Sequence, residues 1–313
     1  MLSLYEASHL ALAGESTLDE AREFTSFHLK NMLGKMDVKS AMRVSRALEL
    51  PSHHRMQRLE ARWNIEMYDK QNTANQLLRK LATLDFNLVQ KVHQRDLREA
   101  SRWWGHVGLA DKLSFARDRL MESFFGMISE PQFSKGRVGL TKVVNLITVL
   151  DDIYDVYGSP DELQQLTNAV DKWDVNAVND LPDYMKLFFF ALYNTVITLK
   201  EQDQVIISQL KKVDDVGRGE TAKAVSCYMH ETGASDEVAC AYIGKLIDQN
   251  WKMINKENTC NSALFGKCFI QTAQNLARIA LCQYQHGDAH TAPTDGSRNR
   301  VKSVIMEPIH FMK

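Results

Sequence analysis

With 313 residues, 44% of them apolar and 25% charged, the chain has room for one large domain or two modest ones. Its 38 basic and 39 acidic side chains nearly cancel, which excludes a global field that would draw nucleic acid or a membrane surface. No apolar run approaches bilayer-spanning length, and few prolines, few glycines and no alternating strand-like stretches predict a nearly all-α protein.

The opening segment, MLSLYEASHLALAGES, lacks the basic stretch and apolar core of a secretory signal and is too acidic and amphipathic for a good transit peptide. Ser16 to Glu20 offers an N-cap with acids in the first turn of a helix through AREFTSFHLKNML. Leu50-Pro51-Ser52 reads as a break, with a second helical run through Trp63 and Met67. His53–His54 reads as a polar loop pair. Leu84 to Trp104 carries Leu84, Leu88, Val89, Val92 and Leu97 close to helical spacing, and a domain boundary is expected near Leu81 to Asp85.

Leu113 to Ile128 predicts another helix. On a helix Arg117 and Arg119, two apart, face different ways. One would enter a pocket while the other pairs with Asp118 or Glu122, or both are ordinary surface arginines. Further helices are expected over Asp161 to Trp173, Leu181 to Leu210 and Gln271 to Tyr284, the second with an aromatic stripe that reads as core. Asp214 and Asp215 form an acid pair at a helix end. QHGDAHTAPTDGSRNR reads as a polar loop before a last short helix ending at Pro308. Five cysteines in the C-terminal third (Cys227, Cys240, Cys260, Cys268, Cys282), without CxxC spacing, read as buried thiols of a reducing compartment.

The most informative stretch is Thr141 to Gly158, TKVVNLITVLDDIYDVYG. An apolar run from Val143 to Leu150 leads into Asp151, Asp152 and Asp155, and Gly158 and Pro160 stop the helix. The acids therefore crowd a helix C-terminus, which already carries partial negative charge. Asp151 and Asp155, four apart, share a face and repel. A hard divalent cation, Mg²⁺ above all, would relieve that repulsion and complete its shell with water and phosphate oxygens. A solvated acidic helix end is the plainer reading of the same residues.

Put together, the segments resemble plant terpene synthases, most closely the monoterpene synthases of the mint and citrus type. The resemblance rests on LITVLDDIYDVYGSPDELQQLTNAVDKWD and NDLPDYMKLFFFALYNTV. It is supported by LDFNLVQKVHQRDLREASRWW, FARDRLMESFF, EPQF, RGETAKAVSCYMHETGASDEVA and NLARIALCQYQHGDAH. It implies an all-α class I terpenoid synthase fold, incomplete here. Residues 1–85 would be the tail of the family's N-terminal helical domain and residues 86–313 its metal-binding domain, with helices missing. It also implies ionisation of a prenyl diphosphate, geranyl diphosphate in the first place, with Mg²⁺ or Mn²⁺ as cofactor. No nucleic-acid or membrane partner is expected. By resemblance the protein belongs in the plastid, and otherwise in the cytoplasm.

Residue by residue, Asp151 and Asp155 match the family's principal metal ligands, with Asp152 as support and Asp214 opening the second metal motif. Arg117 matches the arginine that receives diphosphate, and Lys211 stands where an arginine would help. Tyr284 matches an aromatic at the pocket mouth, and Asp288 a nearby loop acid. The second motif departs from the family pattern: its Ser/Thr position is Arg218 and its Glu position Ala222, and the chain runs from DDVG straight to RGE. The link FFGMISEPQ is also shortened. Two readings follow: a terpene synthase that turns over, or a truncated relative that at most binds metal–diphosphate. A helical scaffold that never bound diphosphate is a third, against which the joint presence of RDR and DDIYD argues.

Overall fold

The structure, a computed structural model, describes residues 1–69, 75–202, 224–259, 267–285 and 294–311. Among them every element is helical. Setting aside the single four-residue turn of α-helix at Leu109–Lys112, the helices run α1 (Leu2–Ser8), α2 (Ser16–Met32), α3 (Val38–Glu49), α4 (Gln57–Asp69), α5 (Gln76–Val107), α6 (Leu120–Gly126), α7 (Ser134–Asp152), α8 (Pro160–Lys172) and α9 (Asp183–Gln202). Then follow α10 (Ala224–Thr232), α11 (Asp236–Thr259), α12 (Lys267–Tyr284) and α13 (Asp295–Ile305). The all-α expectation holds. Two compact units divide the chain: Met1–Glu60 with Arg218–Cys282, and Ala61–Gly217 with Gln283–Lys313. Helix α5 runs through Leu81 to Asp85, where the sequence sets its boundary.

In the first unit, Tyr5, Leu29, Val44 and Ala47 form a small core with Leu2, Leu33, Met36 and Leu48 packed on it. Ser16 does not cap α2 but lies inside it, and Glu15 holds the N-cap position. The Glu15 carboxylate instead accepts from the Leu12 amide at 2.7 Å. His53 and His54 do sit in a short 3-10 turn, but they pack rather than face solvent. The His54 ring stacks on Trp251 at 4.1 Å, with the His9 ring edge-on at 5.3 Å. His53 Nε2 lies 2.7 Å from Asn255 Oδ1, and Arg278 Nε donates to the His53 carbonyl at 2.9 Å. Burial pushes His54 down to about 3 and His9 down to about 4, so both rings are neutral at ordinary pH. Of the cysteines among the described residues, Cys282 is buried as expected and Cys240 is exposed.

In the second unit, the spine is α5. The Asn75 side chain caps it by accepting from Leu77 and Leu78, and Gly108 ends it in the left-handed conformation that glycine adopts without strain. Its buried face is Phe86, Val89, His93, Asp96, Ala100 and Trp104, at steps of three and four. Leu84 and Leu88, expected on that face, are 49% and 60% exposed. The apolar pattern misleads because polar residues, His93 and Asp96 among them, occupy the buried stripe and find partners there. His93 Nε2 lies 3.0 Å from the Ser129 carbonyl oxygen. Asp96 Oδ2 accepts from Arg137 Nε and Nη2 at 3.1 and 3.0 Å, and Asp96 Oδ1 from the Ser134 hydroxyl at 2.7 Å. This fully buried ion pair ties α5 to the start of α7.

Helix α9 buries Met185, Phe188 and Phe189 completely, so its aromatic stripe is core as expected. The last helix, α13, begins at Asp295 under a Thr294 cap, inside the stretch expected as loop, and ends at Ile305 rather than Pro308. The segment after it is held on α5, where Gln90 Nε2 reaches the Val304 and Glu307 carbonyls and Asn87 exchanges hydrogen bonds with Ile309.

Candidate active site

Helix α7 buries Leu146 and Val149, and the run continues into buried Ile153. The α-helix passes at Asp152 into one π turn, Ile153–Tyr157, closed by the Gly158 amide donating to the Ile153 carbonyl at 2.7 Å. A Cβ at Gly158 would lie 2.6 Å from Leu163 Cδ2 and 2.9 Å from the Ile153 oxygen, so only glycine fits against this turn. Ser159 and Glu162 then form a capping box with Pro160 in the first turn of α8. The predicted stop at Gly158 and Pro160 is therefore where the helix ends.

The three acids divide. Asp151 and Asp155 are exposed at the helix end, while Asp152 is buried at 2% exposure. Asp152 faces Arg117: its Oδ1 accepts from Arg117 Nε at 2.7 Å and lies 2.6 Å from Nη2, and its Oδ2 accepts from the Arg117 backbone amide at 2.8 Å. That last bond explains why the helix expected from Leu113 begins only at Leu120. The Arg117 amide is committed to a carboxylate of another helix, and Asp118 Oδ1 receives the Leu120 amide at 3.3 Å. Leu113 to Arg119 is thus a turn and loop, and the helical-face argument about Arg117 and Arg119 does not apply to it.

Three aromatic rings join the same two segments, a grouping the sequence reading missed. Phe115 stacks on Tyr157 with centroids 3.9 Å apart and planes 7° apart. Tyr184, from α9, stands edge-on to both at 5.9 and 5.0 Å. Its hydroxyl donates to Glu162 Oε2 at 3.2 Å, and burial with the neighbouring Glu162 pushes its pKa up to about 12. The available signal was positional: one aromatic stands two residues before Arg117, another two after Asp155.

The donor set fits a magnesium ion. Two exposed carboxylates four residues apart at a negative helix end are of the kind and number that could give Mg²⁺ the one or two acidic ligands it takes before water and phosphate. Among the described residues no group of three His, Cys, Asp or Glu side chains could cage a metal unaided. Tyr284 is the last residue of α12, with 57% of its surface exposed. Lys211, Asp214 and Asp288 lie outside the described residues.

Two family models match the chain: "Terpene synthase family, metal binding domain" over residues 106–213 and "Terpene synthase family 2, C-terminal metal binding" over residues 211–253. The chloroplastic isoprene synthase of Populus tremuloides is 44% identical, covering 99% of this chain and 67% of that protein. Tricyclene synthase TPS4 of Medicago truncatula, also chloroplastic, is 41% identical over 99% and 69%. The alignment to the former runs over 401 positions against the 313 residues present here, so the relative carries internal segments without a counterpart in this chain. Among solved structures, grey poplar (Populus x canescens) isoprene synthase with three Mg²⁺ ions and dimethylallyl-S-thiolodiphosphate superposes with a TM-score of 0.89 at 43% identity, over 99% of this chain and 76% of that one. A limonene synthase with 2-fluorolinalyl diphosphate gives 0.91 at 31% identity, over 99% and 74%. No described helix is long and apolar enough to cross a membrane. With that sequence identity, and with DDIYD and RDR joined by an ion pair, the chain belongs to the plant terpene synthase family, of the monoterpene synthase type.

Proposed function

We propose that the end of α7 is where this chain takes hold of a short prenyl diphosphate, geranyl diphosphate first, and ionises it toward a monoterpene. The reading is carried by the Arg117–Asp152 ion pair, which ties a cationic side chain to the helix end that also bears two exposed carboxylates. Asp151 and Asp155 hold the divalent ion, Mg²⁺ or Mn²⁺, and Asp152 holds Arg117 instead of the metal. When bound, the ion neutralises charge developing on the diphosphate as the carbon–oxygen bond breaks. Arg117, its side chain 33% exposed where Asp152 holds it, would meet the departing diphosphate. The bonding pair departs with diphosphate, and the allylic cation, cyclised or not, is then quenched by giving a proton to the released diphosphate. Tyr284 offers an aromatic face near the mouth, Lys211 further positive charge and Asp214 a further ligand.

In this reading residues 1–85 are the tail of the N-terminal helical domain and residues 86–313 the metal-binding domain. The plastid is the proposed compartment, since the relatives are named chloroplastic. A second reading, binding without turnover, is favoured by the internal segments that the relatives have and this chain lacks. Arg218 and Ala222 at the second motif point the same way.

Incubation with geranyl, dimethylallyl or farnesyl diphosphate and Mg²⁺, with analysis of volatiles and of released diphosphate, separates the readings. Efficient formation of one monoterpene from geranyl diphosphate establishes turnover. Metal-dependent pyrophosphate binding without product establishes the second reading. Binding that survives Asp151→Asn and Asp155→Asn together refutes both.

A further inference from the structure

We infer that Phe115, Tyr157 and Tyr184 form an aromatic latch that positions Arg117 for diphosphate capture; this rests on the function proposed above.

The segment bearing Arg117 has no helix of its own to hold it, since Leu113 to Arg119 is turn and loop. It meets the end of α7 at two points. One is the Arg117–Asp152 ion pair, and the other is the Phe115–Tyr157 stack two residues earlier on the loop. The π turn makes both possible at once. An i→i+5 bond brings residues five apart nearly above one another, as an α turn does for residues four apart. Asp152 and Tyr157 are five apart, and both meet the same loop.

Tyr184 braces the stack from α9, and its hydroxyl is tied to Glu162. Glu162 accepts from the Ser159 amide and hydroxyl at 3.0 and 2.8 Å, so the brace is anchored in the cap of α8. Asp152 holds Arg117 through charged contacts to its guanidinium and backbone amide, and a bound anion would compete for the guanidinium. A second contact, through rings that need no charge, leaves the guanidinium fewer orientations when Asp152 shares it with a bound anion. None of the three rings is asked to touch the reacting carbon; they act through Arg117.

The test uses the whole chain, with hydrogen exchange of amides 113–119 and calorimetric binding of inorganic pyrophosphate in Mg²⁺. Phe115→Ala and Tyr157→Ala should each speed loop exchange about two- to tenfold, the scale of one aromatic pair. The double variant should add little to either alone. Tyr157→Phe, which keeps the ring, should behave as the unaltered chain. Exchange across α7 residues 138–149 should stay unchanged, which separates latch loss from unfolding. If the alanine variants unfold α7 as well, Phe115→Leu with Tyr157→Leu replaces them under the same criteria. Pyrophosphate affinity should fall in parallel with loop exchange and return in Tyr157→Phe.

Loop exchange that ignores both alanine variants overturns the latch, as does a Tyr157→Phe variant as impaired as Tyr157→Ala. Faster loop exchange with unchanged pyrophosphate affinity removes the positioning role. An unaltered chain that binds no pyrophosphate removes the functional reading, and the positioning role with it, whatever the loop does.

Discussion

Replacing Asp152 with Asn separates the two jobs that crowded acids can do. Asp152 is buried and takes three N–H groups of Arg117 at 2.6 to 2.8 Å. Asparagine keeps the volume but offers one acceptor oxygen, so an Arg117 donor is left facing an NH₂ group. Removing one partner of a fully buried ion pair costs about 3–5 kcal/mol. The Arg117 side chain is 33% exposed, so water recovers part of that, leaving about 2–3 kcal/mol. Asp155 is exposed at the same helix end, and Asp155→Asn should change stability by no more than about 0.5 kcal/mol. It should nevertheless weaken Mg²⁺-dependent pyrophosphate binding about tenfold or more, the loss of one charge-assisted contact. Urea titration followed by circular dichroism measures the first quantity and calorimetry the second. If Asp152→Asn cost under about 0.5 kcal/mol, or Asp155→Asn cost more stability than Asp152→Asn, the division of labour between the acids would be refuted.

Acid should loosen the unit that contains His9 and His54. Both pKa values are held below 6.5 in the folded chain, which therefore binds fewer protons than the unfolded one. Their contribution is fully present above about pH 6.5 and is lost as pH falls toward 4 and then 3, with about 2 kcal/mol lost per histidine by pH 5. Urea titrations from pH 7 to 4 measure that slope, and His54→Phe, keeping a ring on Trp251, should remove about half of it. Asp96→Ala should destabilise by about 3–5 kcal/mol, because it strands the Arg137 charge in the core, and adding Arg137→Met should restore much of the loss. Gly158→Ala should cost about 1–3 kcal/mol in thermal denaturation, since the new methyl meets Leu163 and the Ile153 carbonyl. By disturbing the π turn, it should also weaken pyrophosphate binding.

Local chemistry was enough for much of this protein. Low glycine and proline content with helical periodicity predicts the all-α class, and Gly158 with Pro160 marks the end of α7 because their constraints act within a few residues. The crowding of Asp151, Asp152 and Asp155 on that end is likewise a matter of spacing. What spacing could not reveal is which acid faces which partner. Asp152 is buried against Arg117, 35 residues earlier in the chain, and that contact also unwinds the helix expected before Leu120. The buried face of α5 departs from its apolar pattern for a related reason: Asp96 is tolerated there because Ser134 and Arg137 arrive from elsewhere to satisfy it, and His93 Nε2 meets the Ser129 carbonyl. Periodicity records where side chains point relative to their own helix. Only tertiary packing decides whether a polar group at such a position finds the partner that makes its burial affordable, and so only the folded chain separates an exposed carboxylate from one that holds an arginine.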